Sequence, residues 1–246
     1  MPGIVSLPKD QAEKITKALF ELKVDGTRIT YKNGNIVSDR DINRNARYGH
    51  VVEELKKLNW HVRGEMALPG GTSTDVSKSE NWPKAKFYVF DLFALNGENV
   101  EHVSIAERRD ELEKLVKQGG FRHIEVPLLF KTFTEGWQYV EANDAEGIVI
   151  KEPYAIWKVK KLKELKLPIV EHMAGKSKGA FMIALPNGEV SKVSGTSQAY
   201  IDTYNRLIAA GEKPYAEIEC QHLTEYGVPY QPRLRRIGTV EQLKIS

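Results

Sequence analysis

Apolar residues recur at two spacings along this chain, and the switch between them marks out its elements. Ala12, Ile15, Ala18 and Leu19 fall at helical intervals, which predicts a short amphipathic helix over residues 9 to 19. The period then drops to two. Phe20, Leu22 and Val24 alternate with Glu21, Lys23 and Asp25, the pattern of a strand with one apolar and one polar face. Asp25-Gly26 and Asn33-Gly34 flank Arg28 to Lys32 and predict the turns of a hairpin meander. A helix is expected over Arg47 to Leu58 on the stripe Val51, Val52, Leu55 and Leu58, then strands over Trp60 to Leu68 and Lys86 to Phe93. Ser104-Ile105-Ala106-Glu107 has the form of a capping box that opens a helix through Leu112, Leu115 and Val116. Gly147 to Lys151 and Ile156 to Lys160 read as two more strands.

The pattern breaks at Lys161 to Pro168, a lysine-rich stretch ending in proline that predicts a hinge or linker. Short strands follow over Ala180 to Leu185 and Glu189 to Val193, joined by Asn187-Gly188. A helix is expected over Ser197 to Ala210, then strands near Tyr215 to His222 and Leu234 to Ile237. About 80 residues of short strands with one helix suit a five-stranded barrel such as the OB-fold. The expected architecture is therefore α+β: a domain of antiparallel sheets and helices over 1–161, then a small OB-fold β-barrel domain over 162–246.

Composition narrows the class. With 246 residues, 41% of them hydrophobic, the chain is long enough for a real core and too apolar for a disordered one. No apolar run approaches the ~18 residues of a membrane helix, and no secretory signal is visible. Cys220 is the only cysteine, so no internal disulfide or Cys-rich zinc site is expected, and a cytoplasmic, reducing environment is the expected location. Net charge is only +3, but Lys158, Lys160, Lys161, Lys163 and Lys166 cluster, as do Arg233, Arg235 and Arg236.

Candidate chemistry starts with Glu21-Leu22-Lys23-Val24-Asp25-Gly26-Thr27-Arg28. A lysine between two carboxylates at a strand end is a candidate nucleophile, and it must shed its proton to attack. For those eight residues alone, an edge strand with mixed charges and an Asp-Gly turn is the simpler reading. Glu65 lies inside an otherwise apolar strand, Phe90-Asp91 sets an aromatic beside an acid, and Glu146 and Lys151 flank an apolar strand. Lys158 and Lys160 share a strand face.

Taken in order, these segments resemble the covalent nucleotidyltransferases, the family of ATP-dependent polynucleotide ligases and mRNA capping enzymes. Lys23-x-Asp25-Gly26-x-Arg28 is similar to that family's nucleophile motif, and Arg40 to the arginine motif that follows. Glu65, Phe90-Asp91, Glu146-Gly147 and Lys158-x-Lys160 resemble the later motifs in the expected order. The stretch from Glu217 to Gly227, with Pro232 to Ile237, is similar to the last strands of a DNA ligase OB domain. Gly238-Thr239-Val240 departs from the family's final motif.

The resemblance implies an adenylation (nucleotidyltransferase) domain followed by an OB-fold, and a DNA ligase acting in repair or replication. Lys23 would take AMP from ATP, pass it to a 5′-phosphate, and let a 3′-hydroxyl displace it. Arg28, Arg40, Lys158 and Lys160 would contact phosphates, Phe90 would stack on adenine, and Glu21 would help read the base edge. Asp25 and Gly26 would support the nucleophile, while Glu65 and Glu146 would hold the ribose or a Mg²⁺ (or Mn²⁺) ion. Lys161, Lys163, Lys166 and Arg236 would contact DNA. The few residues before Lys23 favour ATP over NAD, and no separate DNA-encircling domain is expected. Nicked or broken double-stranded DNA is the implied partner of a monomer. An RNA ligase, a capping guanylyltransferase using GTP and a non-catalytic nucleic-acid-binding module remain the alternatives.

Overall fold

In the computed structural model, which describes residues 4–56, 58–175, 179–194 and 196–245, Asp25-Gly26 is not a hairpin turn. It is the point where the chain leaves one sheet and enters another. The chain separates into two units, Met1–Lys160 and Lys161–Ser246.

The first unit opens with β1 (Ile4–Ser6), α1 (Lys9–Ala12) and β2 (Leu19–Leu22). The expected helix over 9 to 19 thus stops after one turn, because Leu19 is already paired with Lys151 as a strand residue. Next come β3 (Thr27–Lys32), β4 (Asn35–Ser38), α2 (Gly49–Leu55), β5 (Trp60–Ala67), α3 (Ser73–Ser77), a 3₁₀ turn (Ser79–Lys84), β6 (Lys86–Leu95) and β7 (Glu98–Asn99). The helix over Arg47 to Leu58 is shorter than expected, with residue 57 outside the described residues. The unit continues with α4 (Ile105–Gly119), β8 (Ile124–Glu125), β9 (Leu129–Phe130), α5 (Phe133–Ala142), β10 (Gly147–Glu152) and β11 (Ala155–Lys160).

Two sheets result. One has the order β1-β11-β10-β2-β9; the other runs β4-β3-β5-β6-β7, with β8 added beside β6. Asn33 and Gly34 both take positive φ, 51° and 76°, and make the β3–β4 hairpin turn. The capping box at Ser104 and Glu107 forms as the sequence predicts. Both sheets bury apolar side chains under helices. Val51, Val52 and Leu55 of α2 and Leu112 of α4 join Ile29, Val62 and Phe87 in one core. Phe133, Trp137 and Val140 of α5 cover Phe20, Ile148 and Ile150 in another.

The second unit corrects the linker. Lys163–Met173 is an eleven-residue strand, β12, in the middle of a sheet. Leu165, Leu167 and Ile169 recur at every second position, alternate with Glu164, Lys166 and Pro168, and join the second unit's core, so the period is that of a strand. Pro168 is tolerated because Ile169 resumes the pairing by donating to Pro214 O at 2.9 Å. With β13 (Ala180–Ala184), β14 (Val190–Val193), α6 (Gln198–Ala209), β15 (Tyr215–Cys220), β16 (Arg233–Gly238) and α7 (Val240–Leu243), the sheet order is β14-β13-β12-β15-β16, all antiparallel. Among the described residues no helix is long and apolar enough to cross a membrane.

Gly147, which opens β10, has φ +151° and would place a Cβ 2.0 Å from Val159 O. Gly147→Ala is therefore expected to cost about 1–3 kcal/mol of stability. Urea denaturation that returned an unchanged midpoint would show that β10 and β11 can separate at no cost.

Candidate active site

Lys23 lies one residue beyond β2, and its backbone N–H donates to Gly147 O at 2.9 Å, so the chain still follows β10 there. It then crosses to the second sheet. Gly26 passes so close to β5 that a Cβ would sit 2.3 Å from Met66 O; only glycine fits that approach. Asp25 bonds Ser73 at the start of α3. Burial, then Glu146, raise its carboxyl above the usual range, partly offset by Ser73 and Lys23. The crossing pins the lysine by main chain on one side and by a steric fit three residues later.

Beside it is a cavity of about 440 Å³ within the first unit. Its lining includes the cations Lys23, Arg28, Lys158 and Lys160, the apolar residues Leu22, Phe90, Pro127, Val149 and Ile156, and also Glu21 and Lys151. The Lys23 ammonium is 2.5 Å from Glu146 Oε2, and the Lys160 ammonium is 2.8 Å from Glu146 Oε1. Burial first, then the Lys160, Lys23 and Arg28 charges, hold the Lys158 ammonium below the usual lysine range. Crowded cations beside a flat aromatic ring suit a phosphate-bearing aromatic ligand.

Glu65, directly opposite Arg28 across the β3–β5 pair, also lines the cavity. Burial pushes its carboxyl up to about 7, against the opposing pull of Lys23 and Arg28. Among the described residues, no group of three or more His, Cys, Asp or Glu side chains is placed to hold a metal. A divalent ion that keeps most of its waters and binds through one carboxylate and substrate phosphates still fits Glu65. Glu146 fits less well, since both its oxygens carry lysines.

The structure brings Glu21, Lys23, Arg28, Glu65, Phe90, Lys158 and Lys160 to one cavity, with Glu146 paired to two of those lysines. Arg40 is exposed and does not line it. Glu21 is buried, and its two oxygens are bound by Arg109 at 2.8 Å and Lys151 at 2.5 Å. Lys163 and Lys166 are strand residues, Lys166 lies 3.3 Å from Glu164, and Arg236 pairs with Glu217 at 3.1 Å. Sequence reasoning missed Arg109 and gave Lys151 no role. The available signal was two arginines, Arg108 and Arg109, on the buried stripe between Ile105 and Leu112.

Two largely antiparallel sheets thus bring a lysine amine, flanking cations and an aromatic side chain to one cavity. A family model for the ATP dependent DNA ligase domain matches residues 6–167, and the chain belongs to that family. Over 126 residues, 45% of this chain, it is 31% identical to a DNA ligase 4 of Coprinopsis cinerea; the match spans 12% of that relative's length. Among solved structures, one from a study of DNA binding by Lig E DNA ligases with a minimal scaffold superposes with TM-score 0.70 at 17% identity, covering 97% of this chain and 100% of that one. The ligase domain of M. tuberculosis LigD gives TM-score 0.53 at 17% identity over 96% and 94% of the two chains. At these identities the likeness is one of fold.

Glu65 also makes a stability prediction. Its folded-state pKa of about 7 exceeds the ordinary 4.5, so the stability it contributes is complete below pH 4.5 and is lost as pH rises to about 7. Relative to Glu65→Gln, the wild-type chain should lose unfolding free energy across that window and run parallel above it. Parallel curves throughout, measured by urea titration at each pH, would place Glu65 in a solvated setting.

Proposed function

We propose that the chain is a DNA ligase that uses ATP to join 3′-hydroxyl and 5′-phosphate ends through a covalent Lys23–AMP intermediate. The observation that carries this reading is the Lys23 amine on the cavity wall, against Glu146 and among Arg28, Lys158 and Lys160. Lys23 Nζ gives up a proton and attacks the α-phosphorus; the N–P bond forms as the bond to pyrophosphate breaks. A 5′-phosphate oxygen of the DNA then attacks the same phosphorus, and Lys23 leaves and regains its proton. The 3′-hydroxyl finally attacks the 5′-phosphate and expels AMP. Each step is an in-line displacement governed by position and charge.

The chain's own groups divide that work. Glu146 orients the Lys23 amine and is the nearest acceptor for its proton. Lys158, Lys160 and Arg28 contact the phosphates as charge develops. Phe90 offers a face to adenine, and Glu21 lines the same cavity. Glu65 binds a ribose hydroxyl or holds the metal. Mg²⁺ or Mn²⁺, when bound, supplies neutralisation of the phosphate oxygens. Asp25 and Gly26 fix the crossing that presents Lys23. Arg40, exposed beyond Asp39, contacts DNA or phosphate outside the cavity.

The second unit is read as an OB-fold. Five antiparallel strands in the order β14-β13-β12-β15-β16, with a register shift in β12 between Ile169 and Glu171, support a bent, partly open barrel. Lys161, Lys163, Lys166 and Arg236 on this unit are proposed to contact the backbone of nicked double-stranded DNA.

Incubation with α-labelled ATP and Mg²⁺, then a denaturing gel, is the direct test. Wild-type chain should carry the label, while Lys23→Ala and Lys23→Arg should not, since a guanidinium stays protonated. Both variants should still seal a nick whose 5′-phosphate already bears AMP. Labelling of Lys23→Ala at wild-type level, or labelling from GTP in place of ATP, would overturn the reading.

Nick binding should also weaken with salt. Replacing Lys161, Lys163 and Lys166 by alanine should flatten the log–log slope by about 0.9 for each phosphate that is no longer neutralised. An unchanged slope in a fluorescence titration would remove these lysines from the DNA interface.

A further inference from the structure

Helix α4 carries two arginines where its apolar stripe leads one to expect core residues. Ile105 and Leu112 belong to that stripe, and between them the Arg108 and Arg109 side chains are only 6% and 2% exposed. Each arginine reaches a different sheet. Arg108 Nε donates to Asp91 Oδ1 at 3.0 Å, and Asp91 adjoins Phe90 on β6. Arg109 Nε donates to Glu21 Oε1 at 2.8 Å on β2, and a second guanidinium nitrogen donates to Pro127 O at 2.9 Å. Glu21, Pro127, Phe90 and Asp91 all line the cavity, whereas Arg109 does not. Lys151 of β10 crosses the same gap, donating to Phe90 O at 2.8 Å while binding the other oxygen of Glu21.

Buried ion pairs of this kind are weak stabilisers, since well-packed apolar residues of similar volume serve as well or better. What they do supply is fixed geometry. With one oxygen held by Arg109 and the other by Lys151, the Glu21 carboxylate has one orientation, and its remaining lone pairs are directed by those two cations. We propose that Arg109 is a positioning residue for nucleotide recognition, acting through Glu21, and that with Arg108 it sets the separation of the two sheets that wall the cavity. This rests on the reading of the cavity as the ATP site. The purine edge facing Glu21 is then selected for a hydrogen-bond donor, which the 6-amino group of adenine provides.

The test is single-turnover self-adenylation by the full chain, with ATP and with the analogue that lacks only the 6-amino group. Arg109→Lys keeps the charge but cannot span Glu21 and Pro127 together. It should raise the ATP concentration for half-maximal rate by about tenfold, change the saturating rate much less, and shrink the preference for ATP over the analogue. Glu21→Gln should do the same, and the combined variant should be no worse than the poorer single one, because both act on one contact. Additive losses, or equal loss with ATP and analogue at every concentration, would reduce Arg109 to a structural role. Should Arg109→Lys not fold, Glu21→Gln with Arg109→Met, which removes both members of the pair, is compared with Glu21→Gln alone and gives the same reading. A wild-type chain that takes no label refutes the ligase function itself; a labelled wild type with an unchanged Arg109→Lys refutes only this inference.

Discussion

Glu146 is 3% exposed and lies between two ammonium groups, Lys23 at 2.5 Å and Lys160 at 2.8 Å. Without that carboxylate the two ammonium groups would repel each other at short range. With it, they converge. The strands follow from the same need: β10 must lie between β2 and β11 for one side chain near its start to reach both neighbours. The steric demand at Gly147, which lets β10 approach Val159, belongs to that arrangement.

A second shared carboxylate repeats the device. Glu21 is held by Arg109 and Lys151 much as Glu146 is held by Lys23 and Lys160. Because cations outnumber the carboxylates they bind, the cavity is left electropositive. Six cations line it (Lys23, Arg28, Arg63, Lys151, Lys158 and Lys160) against three carboxylates, those of Glu21, Glu65 and Asp91. Within that cation-rich lining, burial still holds the Glu65 carboxyl above its ordinary range.

Much of this is legible in the sequence where chemistry is local. The Asn33-Gly34 turn, the Ser104 capping box and the shared face of Lys158 and Lys160 each follow from residues within a few positions of one another. The misreadings involve partners far along the chain. Asp25-Gly26 has the composition of a turn, yet its glycine is required by Met66, and nothing nearby announces that. Glu21 reads as a polar-face residue because polar residues alternate with apolar ones in β2, and that pattern does not tell what covers the face. In fact α5 covers one side of that strand and α4 supplies a guanidinium to the other. The Lys161 to Pro168 stretch reads as a linker because its lysines dominate the composition, while the apolar residues at every second position, Leu165, Leu167 and then Ile169, decide its structure. Arg109 stands out on its helix stripe, but the stripe does not tell which group it serves, because that partner lies 88 residues away on β2.

The pairing of β1 with β11 and of β2 with β10 has a consequence for the order in which the unit is assembled. Ile4 is registered with Ile156, and Phe20 with both Phe130 and Ile150. The sheet of β3 to β6, by contrast, is built from neighbours in sequence, with little loop-closure entropy between them. During synthesis the opening segment therefore has no strand partner until the chain has extended past residue 128, and its outer strand none until β11 emerges. The unit is expected to nucleate on its local sheet and close its cavity last, the slow step belonging to the most non-local contacts. The strand that leads into Lys23 is thus made before its partners and secured after the local sheet.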